Sequence, residues 1–433
     1  METANLVIEE IIEIGPVAIL PVLLFLIGLA TTRKILQNFL NCLYIFLGLI
    51  GLSISLTLLV NYFKPLIDII VSFSKNDLTV VDTGWLVSKQ VILNSPVTLY
   101  VLMAVLVVNI IMILLRLTRS VNLDLWNWWI FLAAGSVVYF VTEKEWLAVL
   151  SACVISIITL VLSDIYAPKF ESYYEIKGIT NTQAQLIAWA PLTQLVNTVF
   201  NRIPGIKKIR IVFFRLYYRL GFFSEPLIIG FILGFIFGAV IKYRTIHINT
   251  GRDILFAAAY GLYLAAIVIV IPKMSALIFK GLSPAIKDLV KFIESRITKR
   301  SIHISLDSIL FSGHPSVISI SVVFIPLTAY IATILPGNKI LPSADLILIP
   351  LLLVWILAQS KGDLIRTFIS ASLIIPLTLW ISTDMADLFT GFFSKHSIEM
   401  AQDIKHFSSY GAGSNWFFWV ILQIIRPLLN IFS

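Results

Sequence analysis

The sequence predicts an all-α polytopic membrane protein with about eleven transmembrane helices. Two observations carry the prediction. The 433 residues are 58% hydrophobic with a mean hydropathy of +0.94, and only 13% are charged, about half the share of a soluble domain. Eleven strongly apolar, charge-free stretches also run along the chain: 14–32, 35–63, 90–115, 125–142, 146–163, 226–241, 254–272, 308–338, 346–360, 367–383 and 407–425. In lipid a backbone must satisfy its own hydrogen bonds, so these stretches are expected to be helices. A twelfth charge-free stretch, 178–201, is rich in Thr, Asn and Gln and reads as a loop or interfacial segment.

Eleven spans place the termini on opposite sides. With the N-terminus outside, 21 basic residues fall in inside loops and 10 in outside loops. The positive-inside rule then predicts N-outside and C-inside. The first thirteen residues carry Glu2, Glu9, Glu10 and Glu13 and lack the basic start of a signal peptide. Cys42 and Cys153 lie within apolar runs and offer neither a metal spacing nor a disulfide framework. The formal charge of +8 resides between spans, so no nucleic-acid partner is expected.

The chain resembles itself at an offset of 219 residues. PLIDIIVSF (65–73) aligns with PAIKDLVKF (284–292), and Pro96 with Pro315. Five spans per unit is an odd number, so the second copy is expected upside down, as in many secondary transporters. The predicted division is a first inverted repeat over 1–168, a cytoplasmic or interfacial loop over 169–222, a second repeat over 223–385, and an extra C-terminal span over 386–433. Segments 77–96 and 303–315 precede the matched prolines and mix apolar residues with Asp82, Gly84, Trp85, Asp307, Gly313 and His314. They are candidate re-entrant hairpins, because broken backbone at membrane depth survives only against protein or a wet cavity. Residues 284–300 place Ile286, Leu289, Val290, Ile293 and Ile297 on one face and predict an interfacial amphipathic helix.

Polar residues beside spans are candidate functional groups. Asn122, Asp124 and Asn127 could hydrogen-bond a polyhydroxylated ligand beside Trp126, Trp128 and Trp129; an aromatic belt with an N-cap at Asp124 fits the same pattern. Glu225 precedes Pro226 and suits a helix start. Asp307 and His314 flank Gly313 at the mouth of an apolar span and could bind hydroxyls or relay protons. No HExxH, CxxC, P-loop or GxGxxG motif is present, so no cofactor is expected and any energy must come from an ion gradient or a partner.

Several segments together resemble the galactitol-type enzyme IIC of the phosphoenolpyruvate-dependent phosphotransferase system, and more distantly its ascorbate-type relatives. They are VVDTGW (80–85), LTRSVNLDLWNWW (117–129), YYEIKGI (173–179), NRIPGIKKI (201–209), GFFSEPLIIGF (221–231) and the region 306–346. The resemblance runs from about residue 8 to 385. It implies a sugar or polyol permease in a bacterial plasma membrane, a homodimer with an elevator-type core. Phosphorylation would be by a separate IIB protein charged by IIA, with no phosphoryl-carrying catalytic residue in this chain. Carried over by motif, the substrate-binding candidates are Asp307, His314, Asp124, Glu225, Asn122, Asn127, Asp82, Glu175 and Gln183. The chain departs from the galactitol pattern where a Pro-His-Gly turn is replaced by Thr182-Gln183-Ala184. The rival expectation is an ion-coupled secondary transporter on the same scaffold.

Overall fold

The computed structural model describes residues 16–32, 34–204, 210–212, 221, 225–245, 250–395 and 406–432; the acidic first thirteen residues lie outside them. Helices dominate. Four long ones form a block: α1 (Pro16–Thr32), α2 (Ile35–Ser72), α9 (Pro226–Thr245) and α10 (Thr250–Ile293). At 1.5 Å per residue the 44-residue α10 is about 66 Å long, twice a hydrocarbon core. The predicted amphipathic helix at 284–300 is the far end of this element. Pro272 and Pro284 do not stop it, and Ile286 and Leu289 stay buried. A π-turn over Glu294–Thr298 and left-handed Lys299 end it.

Small residues bring this block together. On α9, Gly230, Gly234 and Gly238 recur every four residues. A Cβ on them would lie 2.9, 2.8 and 2.8 Å from Ala265, Gly261 and Tyr260 of α10. Backbones approach this closely only where side chains are absent, the usual route to tight helix pairs in lipid. Gly48 and Gly281 serve the α2–α10 contact, against Ile278 and the Asn41 carbonyl. Tyr62 and Tyr260 seal the same contact, rings 4.1 Å apart, each hydroxyl donating to the other's carbonyl.

The rest of the chain builds a second region around two small parallel sheets. In order, it contains β1 (Val80–Asp82), α3 (Gly84–Leu93), α4 (Thr98–Leu114), β2 (Ser120–Asn122), α5 (Leu125–Thr142), α6 (Glu145–Tyr174), β3 (Ile179–Thr180), α7 (Ala184–Ile187) and α8 (Ala190–Arg202). After α10 come β4 (His303–Ser305), α11 (Ile309–Ser312), α12 (Pro315–Ile334), β5 (Ile340–Leu341), α13 (Leu348–Gln359), α14 (Leu364–Asp384) and α15 (Ala386–Lys395). Last are β6 (His406–Ser408), α16 (Tyr410–Gly413) and α17 (Trp416–Phe432). One sheet has order β5-β1-β6, the other β2-β4-β3, and every pairing is parallel.

Three stretches depart from their sequence reading. Residues 178–201, which read as a loop or interfacial segment, form β3, α7 and α8, with 179–190 wholly buried. Residues 407–425, which read as a span, open as β6 and the single turn of α16, and helix α17 begins only at Trp416. The apolar stretch 346–360 becomes α13, whose twelve residues are all buried. It is apolar because protein surrounds it; at about 18 Å it is short for a bilayer. Among the described residues, six helices are long and apolar enough to cross a membrane. The pair Val87–Leu93 and Thr98–Leu114, bent by 89°, makes a seventh candidate.

Gly234→Leu is expected to destabilise the α9–α10 pair, since the new Cβ meets backbone that has no rotamer to yield. Overpacking costs about 1–3 kcal/mol. Thermal melting in detergent should show a lower Tm for Gly234→Ala than for wild type and a lower one again for Gly234→Leu; a wild-type Tm in both variants would contradict this packing.

Candidate functional site

The β2-β4-β3 sheet positions the polar cluster. Its register pairs Asn122 with Ser305 and Thr180 with Ser305, so three chain segments leave the sheet at one level. Each then carries polar side chains: Asn122 and Asp124, Asn181 to Gln183, and Ser305 and Asp307. Asn122 Oδ1 accepts from the Asp124 amide and from Thr182 Oγ1, both at 3.1 Å. Asn127 Nδ2 donates to Thr182 Oγ1 at 3.0 Å, and its Oδ1 accepts from the Ala184 amide at 2.9 Å. Thr182 Oγ1 and Ser305 Oγ are 2.7 Å apart. Asp124, fully buried, caps α5 by accepting from the Asn127 amide at 3.1 Å. Asn181 links these parts: its Nδ2 donates to Leu306 O at 2.6 Å and lies 3.4 Å from Asp124 Oδ2. Its Oδ1 accepts from Trp355 Nε1 at 2.8 Å.

Asp307 stands at the edge of this network. One carboxylate oxygen accepts from the Ile309 amide at 2.9 Å; the other takes no protein donor among the described residues. It borders a cavity of about 150 Å³ between the two regions of the molecule. Leu49 and Ser53 of α2 form one wall, and Trp85, Trp126, Leu306 and Leu310 another. The two indoles meet edge-on, centroids 4.9 Å apart. A carboxylate, a hydroxyl and indole faces against apolar walls suit a ligand with hydroxyls on one side and C–H groups on the other.

Gln183 is fully buried, and among the described residues neither its Oε1 nor its Nε2 has a partner. An unsatisfied buried amide costs about 1–3 kcal/mol per group. Such a group in the loop that carries Asn181 and Thr182 is a candidate contact for a ligand or a moving neighbour.

The β5-β1-β6 sheet builds a second cluster. Asp82 Oδ1 accepts from the Gly84 and Tyr410 amides at 3.2 and 2.9 Å, and Oδ2 from Ala344 and Asp345 at 3.1 and 3.0 Å. Asp345 accepts from the Trp85 and Gly411 amides at 3.0 and 2.8 Å. Both carboxylates are thus committed to backbone. Gly84 makes the turn possible, with φ +68 and Ala344 2.8 Å from where a Cβ would sit.

Five of the predicted site residues therefore share one neighbourhood: Asn122, Asp124, Asn127, Gln183 and Asp307. Asp82 belongs to the other sheet. His314 caps α12, its Nδ1 accepting from the Ser316 amide at 3.3 Å, and it packs against the adjacent rings of Tyr173 and Tyr174, with centroids 5.2 and 5.3 Å away. Glu175 is exposed in a left-handed cap that ends α6, and Glu225 precedes α9, outside both clusters. Sequence reasoning did not select Asn181, Thr182, Ser305, Trp355, Asp345 or Tyr410. Asn181 showed only as part of a polar run within a charge-free stretch, and Thr182 only as part of that run and of the turn that replaces Pro-His-Gly.

The family model described as "PTS system sugar-specific permease component" matches residues 10–403. The galactitol-specific EIIC component of the PTS in Escherichia coli K12 is 28% identical over 421 residues, covering 97% of this chain and 91% of the relative. A putative permease IIC component of the same strain is 28% identical over 417 residues, covering 96% and 93%.

Asp82→Ala strips the acceptor from four backbone N–H groups. At about 1–3 kcal/mol each the loss approaches the 5–15 kcal/mol stability of a domain. Asp307→Ala removes one acceptor. Little folded Asp82→Ala protein is expected on size-exclusion, against near-normal yield of Asp307→Ala; equal yields would contradict the division between the clusters.

Proposed function

The chain belongs to the family of sugar-specific permease components of the PTS, and from that premise we propose that it carries a hexitol-like polyol across a bacterial plasma membrane. The substrate is phosphorylated by a separate IIB protein, itself charged by IIA. The carrying observation is the cavity where Asp307, with one oxygen open, faces Ser53 and the two indoles. Hydroxyl protons of the polyol donate to Asp307. Its C–H edges lie on Trp85 and Trp126. Asn122, Asp124 and Asn127 hold the loop behind this site, and Gln183 stands where a second polar contact can form. The replacement of the Pro-His-Gly turn by Thr182-Gln183-Ala184 allows hydroxyl patterns other than galactitol's, with galactitol among the hexitols that bind. His314, Glu225, Glu175 and Asp82 then act on the site through the fold, as caps and supports.

The cavity's two-sided lining supports movement of one region past the other. One wall belongs to α2, in the block sealed by glycine contacts; the other belongs to the sheet region. Sliding of the sheet region along α1 and α2 carries the polyol from one side of the membrane to the other, an elevator motion. The block's apolar outer face is the homodimer contact. The N-terminus lies outside and the C-terminus in the cytoplasm, which puts the more basic loops inside.

The two halves are inverted copies with re-entrant hairpins. Supporting this, the order strand, Asp, helix recurs as β1–Asp82–α3 and β4–Asp307–α11, and again as Asp124–α5 and Asp345–α13. Helices α6 and α14 begin 219 residues apart, at Glu145 and Leu364. β3–α7–α8 has its counterpart in β6–α16–α17. Each sheet takes its central strand from one half and both edges from the other.

Uptake in vesicles tests the reading. Radiolabelled galactitol should accumulate as a phosphate ester only with phosphoenolpyruvate, IIA and IIB. Asp307→Asn should lower uptake at least about a hundredfold, the loss of some 3 kcal/mol of charged hydrogen bonding, with folding retained. Accumulation of unmodified solute driven by an ion gradient, or full transport by Asp307→Asn, would contradict it.

A further inference from the structure

One polar cluster stands apart from the polyol cavity. It lies where α6, α8 and the end of α13 meet. Lys169 of α6 donates through Nζ to Gln194 Oε1 and, at 3.1 Å, to Gln359 Oε1. Asn197 Nδ2 donates to the Gln359 carbonyl at 3.1 Å. Lys361 stands close enough to act on Lys169 electrostatically. Among the described residues no carboxylate lies within ion-pair distance of either lysine; the nearby Asp363 pairs with Arg366 at 3.2 Å.

Three buried polar atoms here lack partners among the described residues: Gln359 Nε2, Ser360 Oγ and Asn197 Oδ1. Gln359 and Ser360 are only 3% and 4% exposed. One ammonium group, an amide N–H and a hydroxyl are thus set together with no carboxylate among the described residues, beside an acceptor without a donor, and the exposed Lys361 follows Ser360 directly in the chain. Lys361 adds a conformational sign. The Gly362 amide bonds Leu357 O at 2.9 Å and the Lys361 amide bonds Ala358 O at 3.2 Å, the double closure of a helix end that usually carries glycine. Here lysine holds that left-handed position, with φ 51. The charge is kept where the backbone favours its removal.

The position matters. Trp355, which donates to Asn181 of the polyol cluster, lies one helical turn before Gln359 on α13, about 6 Å along the axis. We propose that Lys169, Gln359, Ser360 and Lys361 form a binding site for a phosphate monoester, the phosphoryl end of the phosphorylated polyol on its way out. The dianion takes charge-assisted bonds from the lysines and neutral ones from Gln359 and Ser360, and a hydroxyl of the same molecule donates to Asn197 Oδ1. The inference rests on the permease reading and adds a product subsite to it.

The test is calorimetric titration of the full chain in maltoside micelles with galactitol, galactitol 1-phosphate and inorganic phosphate. Galactitol 1-phosphate should bind more tightly than the other two. Lys169→Gln and Lys361→Gly should each weaken it roughly tenfold or more and leave galactitol affinity within about twofold. Lys361→Gly should also melt no lower than wild type, since glycine suits that backbone. Unchanged sugar-phosphate affinity in folded Lys361→Gly would overturn the proposal. Inorganic phosphate binding as tightly as the ester would assign the cluster to a bare phosphoryl group and overturn the product reading. Displacement of the ester by added phosphatidylglycerol alone would make it a lipid headgroup site and overturn the product reading as well. The galactitol arm reports separately on the permease reading: galactitol binding without ester binding sinks only the product subsite, and ester binding without galactitol binding leaves that subsite standing.

Discussion

Backbone that breaks out of a helix within a membrane protein has to find its hydrogen bonds inside the protein. This molecule meets that demand with two parallel sheets of two- and three-residue strands, each ending beside a pair of aspartates. The Asp82 and Asp345 carboxylates together accept from six backbone amides drawn from three separated segments. That knot fixes where α3, α13 and α16 begin. Trp85, one residue beyond Gly84, reaches the cavity wall because of it.

The second pair is finished differently, and the difference creates a site. Around Asp124 and Asp307 the backbone supplies fewer donors, and Asn122, Asn127, Asn181, Thr182 and Ser305 take over with side chains. Side-chain networks leave residual valence where backbone knots do not. It remains at Asp307 and at Gln183. Similar strand-to-helix junctions thus serve as an anchor at one sheet and as a candidate binding surface at the other.

Much of the helical fold was legible because lipid imposes long apolar runs. All eleven stretches contain helix over most of their length, and Pro96 and Pro315 flagged the breaks beside Asp82 and Asp307. The strands were not legible. Two or three residues give no periodicity, and pairs such as Asp82–Ser408 join positions more than 300 residues apart. Asn181 and Thr182 passed as loop residues, and Asp345 passed as a connector, because their partners come from other segments. Apolarity alone also could not separate α13, apolar from burial in protein, from helices that face lipid. Asp307 and Asp124 stood out through their place beside spans, where an ionisable group calls for a partner or a function; Glu175 entered by motif alone, and it sits exposed.

The most direct measurement is an electron cryomicroscopy map of the full chain in a lipid nanodisc with saturating galactitol. Ligand density is expected between Asp307, Trp85 and Trp126, with the Asp82–Asp345 knot intact beside it. Ligand density at Asp82 and Asp345, with the Asp307 cavity closed or filled by side chains, would contradict a polyol site at Asp307.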